Sequence, residues 1–567
     1  MYAESARHLP REDRHALQAG SLAFLIGSRS SPKHYGPSSR TLDHLTQPHE
    51  RLRDNLQRFR IYPLSIPGKM ITFRAIANRV RARAHRVCCQ LPSLEHRSVS
   101  TAFIESAHTR LGKAIAPQTE AHPGASGIYM LSDARDAFAA RVLLARAAER
   151  TLDARYYIWH HDTSGSLLMA ALREAADRGV RVRLLLDDNG TSALDERLAA
   201  LDAHRNIEVR LFNPFVIRKP RLLGYLTDFH RLNRRMHNKS FTADNQATII
   251  GGRNVGDEYF GATNGVLFVD LDVMAVGPVV QDVSGDFDRY WASDSSYPVQ
   301  RLLRLTDPAL LRRATSSSMQ AERDPAGEAY TREIRDSSFA RDLTEGRLPL
   351  EWAPTRMVSD DPLKGLGLAP ADLLLPSMLK TIIGEPAHQI DLVSAYFVPT
   401  AAGVASLVTM AERGVAVRVL TNSLRASDVP IVHAAYAKWR KPLLEAGVLL
   451  YELRQSPSII AARRHTGPFG SSGSSLHAKT FSVDRSRVFV GSFNFDPRSA
   501  KLNTEMGFII DSPALAARVE DKLSRGLLTN AFEVRLSSSG KIKWIEHRDG
   551  QLRCHNIELA RICGSVH

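Results

Sequence analysis

A chain of 567 residues exceeds what one hydrophobic core organises, so two ordinary domains with additional segments are expected. Hydrophobic residues make up 43% and charged residues 24%, the balance of a globular protein, and no apolar run is long enough to span a bilayer. The formal charge is +15, but residues 1–100 hold 17 Lys and Arg against 7 Asp and Glu, so +10 of it lies there and the other +5 is too thinly spread for a polyanion track.

Residues 1–100 mix Arg, His, Ser and Pro without sustained periodicity and read as a disordered or mis-assigned extension, in which Ile71–Val87 has the pattern of a short basic amphipathic helix. Leu22–Ile26 is too short for a secretory signal. Cys88, Cys89, Cys554 and Cys563 lie near the ends without metal-binding spacing, so a cytoplasmic, reducing compartment is expected, with no metal and no cofactor.

From about residue 118 the chain alternates helices and strands. Asp136–Arg150 reads as a helix, Leu152–Trp159 as a strand, Ser166–Arg178 as a helix ended by Gly179, and Val180–Leu186 as a strand. The progression returns with Ile390–Val398, Gly403–Arg413 ended by Gly414, and Val415–Leu420. Asp153 matches Asp391, Gly179 matches Gly414 and His237 matches His477, at the nearly constant offsets of 238, 235 and 240. The expected fold is therefore α/β: two homologous domains, 118–300 and 351–545, each a parallel-rich mixed sheet flanked by helices. Connecting helices fill 301–350, residues 546–567 form a tail, and Thr466–Ser475 is a flexible Gly/Ser loop.

Each domain carries one motif. The first runs Met236-His237-Asn238-Lys239 to Asp244 and on to Gly251-Gly252-Arg253-Asn254; the second runs Leu476-His477-Ala478-Lys479 to Asp484 and on to Gly491-Ser492-Phe493-Asn494. In both, Lys follows His by two residues, Asp by seven and Asn by seventeen. His and Lys two apart on extended chain project to one side, and the strand after the Asp turn brings Gly and Asn back to the same place.

Two histidines, two lysines and two asparagines around one centre suit phosphodiester exchange. A neutral imidazole attacks phosphorus, a protonated one supplies the leaving alkoxide with its proton, and Lys and Asn meet the charge on the non-bridging oxygens. The candidate catalytic residues are His237, Lys239, Asp244, His477, Lys479 and Asp484, with Asp244 and Asp484 equally suited to holding a turn. Asn254, Ser492 and Asn494 are candidate phosphate ligands; Gly252 opposite Ser492 implies a hydroxyl donor from one side only. Glu505 is a candidate to accept an imidazole Nδ1–H, with Asp272 as its expected counterpart and Asp270 competing. His160-His161-Asp162 reads as a polar strand end, Tyr156, Tyr157, Tyr396 and Phe397 as core, and Arg231–Arg235 as a solvated loop.

The paired motifs, with Gly491–Ser499 after the second, resemble those of the phospholipase D superfamily. Tyr156–Trp159, Arg181–Asn189, Glu208–Pro214, Gly251–Phe260, Leu271–Pro278 and Ala395–Pro399 extend the resemblance to bacterial cardiolipin synthases of the C type over about residues 100–545. That likeness implies phosphatidyl transfer through a phosphohistidine, with phosphatidylglycerol as acceptor and phosphatidylglycerol or phosphatidylethanolamine as donor. It also implies His237 as nucleophile, His477 as acid and base, peripheral attachment to the cytoplasmic face of the inner membrane and an activating partner protein. Phospholipase D-type hydrolysis is the alternative; a nucleic-acid phosphodiesterase is disfavoured by the near-neutral core.

Overall fold

The computed structural model describes residues 90–262, 267–303, 324–427, 429–454, 475–548 and 550–558. Residues 71–87, Cys88, Cys89, Cys563 and 466–474 of the Gly/Ser loop lie outside them. All the described strands lie in one compact unit, from Pro92 onward.

Its first half supplies β1 (Ser126–Leu131), β2 (Thr151–Ile158), β3 (Arg181–Gly190), β4 (Ile207–Phe212), β5 (Ser240–Ala243), β6 (Ala247–Gly251), β7 (Phe268–Val269), β8 (Asp272–Val276), β9 (Ser296–Pro298) and β10 (Glu351–Ala353). The second supplies β11 (Thr355–Ser359), β12 (Gln389–Ser394), β13 (Ala416–Asn422), β14 (Leu449–Leu453), β15 (Ser475–Leu476), β16 (Lys479–Val483), β17 (Arg487–Gly491), β18 (Met506–Asp511), β19 (Ala531–Leu536), β20 (Ile542–Arg548) and β21 (Gln551–His555). They form a nine-stranded sheet in the order β10-β1-β8-β6-β5-β2-β3-β4-β9 and a ten-stranded sheet in the order β11-β18-β17-β16-β12-β13-β14-β19-β20-β21.

β2, β3 and β4 run parallel, as do β12, β13 and β14, and the neighbouring strands are antiparallel. Helices Thr163–Asp177 and Thr400–Glu412 make the equivalent crossovers. Each is stopped by a glycine of positive φ, Gly179 at +97° and Gly414 at +86°, a conformation that side chains disfavour. The duplication extends to side-chain pairs. Asp153 pairs in register with Arg183 and holds its guanidinium bidentately at 2.7 Å, and Asp391 does the same for Arg418 at 2.6 and 2.7 Å.

Three boundaries differ from expectation. The chain changes sheets at Pro354, between β10 on β1 and β11 on β18, inside the stretch expected to open the second domain. Proline has no N–H to continue a ladder. Residues 97–100 pack along the first domain: Arg97 donates to the Ser293 carbonyl at 2.7 Å, and Arg183 donates to the Ser100 carbonyl at 2.8 Å. The tail is structured through His555, because β20 and β21 extend the second sheet.

Each half has its own apolar core, and a third joins them. There Ile250, Val273 and Ala275 of the first sheet meet Val490, Met506 and Phe508 of the second. Burying both inner faces makes the halves one body, with the motif segments beside their junction.

Candidate active site

Each motif segment is held by the opposite half. Met236 bridges to Thr504; the His237 N–H donates to the Thr504 carbonyl, and the Thr504 N–H to the Arg235 carbonyl, both at 2.9 Å. On the other side β15 pairs with β7, and the His477 N–H donates to the Val269 carbonyl at 2.8 Å. These exchanged ladders place a carboxylate from each half on the other half's histidine. His237 Nδ1 lies 2.7 Å from Glu505 Oε2, and His477 Nδ1 lies 2.6 Å from Asp270 Oδ2. With Nδ1 occupied, Nε2 is the nitrogen left to react.

The surroundings are dry and cationic. Both histidines are 7% exposed, and Lys239, Lys479, Asn254 and Asn494 are buried. Lys239 Nζ donates to the His237 carbonyl at 2.6 Å, and Lys479 Nζ lies 3.0 Å from His477 Nδ1. The Asn254 amide oxygen accepts from the Ile158 N–H at 3.2 Å and that of Asn494 from the Tyr396 N–H at 3.4 Å. The amides therefore point their NH₂ groups the other way: Asn254 donates one N–H to the Tyr259 hydroxyl at 3.1 Å and keeps the second as a donor. Tyr157 packs edge-on against His237 and Tyr259 against His477, with ring centroids 5.0 and 5.2 Å apart.

Charge separates the two halves. Burial, with Lys239, Lys479 and His477 nearby, holds His237 well below the usual histidine value. Burial and Lys479 also lower His477, but Asp270 opposes them. Burial acts to raise Asp270, yet the attraction of His477, Lys479 and Arg253 outweighs it and keeps this carboxyl ionised. Burial dominates at Glu505 and pushes it up to about 7. It also lowers Lys239 to about 7, with Lys479 adding repulsion. The resting site thus favours a neutral His237 and leaves His477 better placed to hold a proton.

The family model described as cardiolipin synthase, PLD-like domain, matches residues 142–291 and 379–527, one copy for each half. The chain belongs to the phospholipase D-like cardiolipin synthase family. It is 52% identical over 437 residues to cardiolipin synthase C of Escherichia coli K12, covering 77% of this chain and 92% of that protein. It is 24% identical over 388 residues to cardiolipin synthase B of the same strain, covering 68% and 77%. Among solved structures, the phosphatidylserine synthase of Haemophilus influenzae Rd KW20 aligns at 13% identity and TM-score 0.48, covering 75% of this chain and 91% of that one.

In this cardiolipin synthase-family site, two expectations need correction. Asp272 does not reach a histidine: its oxygens accept from the Arg253 N–H at 3.1 Å and Arg141 Nη2 at 2.8 Å. The cause is strand register. Gly251 faces Asp272, whereas Gly491 faces Gly507, so the position equivalent to Glu505 is Asp270. Ser492 is not free for phosphate, because its hydroxyl donates to Glu505 at 2.6 Å and accepts from the Met506 N–H at 3.0 Å. At Gly252 a Cβ would stand 2.1 Å from Asp270 Oδ1, so the missing side chain there makes room for the other carboxylate.

Asp244 and Asp484 lie outside the exchanged pairs. Asp244 accepts from the N–H groups of Glu149, Arg150 and Thr151, and Asp484 from those of Ala387, His388 and Gln389. They fasten the loops entering β2 and β12. Asp244→Ala is expected to cost about 3 kcal/mol or more by orphaning these donors. Urea unfolding should show that loss, with kcat per folded molecule little changed; a thousandfold fall in kcat on an intact fold would instead put Asp244 in the chemistry.

Motif spacing does not point to Asp360, Tyr259 or Phe268. Asp360 accepts the Glu505 N–H and Lys364 Nζ, both at 2.8 Å, and so fixes the residue just before β18. It stands outside both repeats of the motif. Tyr259 follows Asn254 by five residues where Ser499 follows Asn494, so no repeated residue type marks it.

Proposed function

We propose that the protein is a transphosphatidylase that makes cardiolipin, with phosphatidylglycerol as acceptor and phosphatidylglycerol or phosphatidylethanolamine as donor. The observation that carries this reading is the pair of buried histidines, each oriented through Nδ1 by a carboxylate of the other half. His237 Nε2 attacks phosphorus; the N–P bond forms and the bond to the leaving alcohol breaks. His477 gives its Nε2 proton to that alcohol, then takes one from the acceptor hydroxyl, whose oxygen attacks phosphorus and frees His237. Lys239, Lys479, Asn254 and Asn494 neutralise the non-bridging oxygens, and Glu505 and Asp270 hold the rings.

The setting is a membrane surface. No helix among the described residues is long and apolar enough to cross a membrane. Leu222, Leu223, Leu226 and Phe229 stand exposed on the short helices Leu222–Thr227 and Phe229–Leu232, just before the His237 segment. An apolar surface there, with Lys219 and Arg234 close in sequence, suits contact with anionic lipid.

Purified protein given phosphatidylglycerol vesicles, with and without phosphatidylethanolamine, is expected to form cardiolipin, read by mass spectrometry. Phosphatidic acid as the sole product would establish hydrolysis; no lipid product from either mixture, with or without a membrane extract that supplies partner proteins, would overturn the reading.

A further inference from the structure

Behind the His477 segment, between the two sheets, lies a cavity of about 700 Å³. Its floor is apolar, built from Leu271, Val393, Leu420, Leu453, Leu476 and Leu523. The hollow opens to solvent on one side and most of the surface it exposes is apolar, the kind of concave lining that an apolar ligand covers. Arg425, Lys522 and Arg553 also line it, and the buried Nε of Arg425 has no hydrogen-bond partner. Its wall includes Asp270, the residue that holds His477. Its other acid, Glu546, is engaged by Arg454 and His555.

Gly526 supplies a second observation. It lies inside the helix Pro513–Asn530, where glycine costs about 1 kcal/mol relative to alanine. It lines the cavity, and nothing stands within 4 Å of the place its Cβ would occupy. A small residue on this face keeps the hollow open. Val519, Lys522, Leu523, Gly526 and Asn530 form one stripe of that helix, with the cation beside the apolar groups.

We propose that this cavity seats an acyl chain of the acceptor phospholipid, with the cations of its lining facing that lipid's own phosphate, which does not react. The proposal rests on the transphosphatidylase reading for its substrate class, while the occupant's chemistry, an aliphatic chain joined to an anion, follows from the lining. Occupancy covers the small apolar surface these residues still expose and reaches the wall that contains Asp270, so chain length is sensed beside the pair that moves the proton.

The test compares the full-length protein with Gly526→Phe and Gly526→Ala, on dioleoyl-phosphatidylglycerol in mixed micelles and on monomeric dihexanoyl-phosphatidylglycerol. Gly526→Phe is expected to raise KM for the long-chain lipid about 10-fold or more, because two or more methylenes lose their burial, and to leave kcat/KM for the short-chain lipid unchanged. Gly526→Ala should change neither. Equal effects on the two lipids, or none, would overturn the proposal. Photolabelling of His237→Ala protein by phosphatidylglycerol with a diazirine in its acyl chain needs neither turnover nor the bulky variant. The label is expected on the peptides around Leu420 and Leu523; label confined to other peptides would overturn the proposal even if the protein makes cardiolipin, whereas label there without any turnover would sink the enzymatic reading alone.

Discussion

His477→Ala protein is expected to release one equivalent of p-nitrophenol from phosphatidyl-p-nitrophenol and then stop, with the phosphatidyl group retained on His237. The reason lies in the unequal partners of the two rings. His237 is held well below the usual histidine value and is oriented by Glu505, so its attacking lone pair is available near neutrality. His477 faces the ionised Asp270 and is the better proton carrier. A good leaving group bypasses the missing acid, but the acceptor hydroxyl still needs a base, so the adduct accumulates. With natural lipid, turnover should fall by about 10²–10⁴. His237→Ala should show no burst. A mass increase on the peptide carrying residue 477 in His237→Ala protein would reverse the roles, and bursts of equal size from both variants would refute the assignment.

Lys239→Met is expected to abolish turnover, by about 10²–10³ or more, while raising thermal stability near pH 7. Burial lowers this lysine to about 7 from 10.5. The folded state then binds fewer protons than the unfolded state between those values, so the penalty is fully present below pH 7 and is relieved as pH rises towards 10.5. Its order is about 5 kcal/mol. Met keeps most of the hydrocarbon, while Glu505, already pushed up to about 7, loses a counter-charge and takes back part of the gain. A net rise in Tm of about 1–3 °C at pH 7 is expected, with the wild type closing the gap by about pH 10. Calorimetry across that range decides it: a Tm lower than wild type at pH 7 would show that the lysine supports the fold.

Much of this was legible along the chain because it depends on local spacing. The offsets between His237 and His477, or Gly179 and Gly414, follow from a duplicated run of strands and helices, and the family model independently divides the chain into the same two copies. The carboxylate opposite Glu505 was not legible. Asp270 and Asp272 both precede an apolar strand and differ by one strand period, so periodicity assigns them to the same face. Only the pairing of Gly251 with Asp272 and of Gly491 with Gly507 separates them.

By itself, then, the sequence determined the two-domain α/β architecture and the His, Lys and Asn set, because strand alternation and motif spacing are written in neighbouring residues. The tertiary structure decided what depends on how strands pair and pack, in the site's two His–carboxylate pairs across more than two hundred positions. It crossed the halves, giving Glu505 to His237 and Asp270 to His477. It turned the Ser492 hydroxyl towards Glu505 and kept Gly252 bare for Asp270. It also opened an apolar cavity behind His477, whose walls come from strands and a helix that touch only after both sheets have packed. Such contacts depend on which faces are buried together, and burial is a property of the whole fold rather than of any window of sequence.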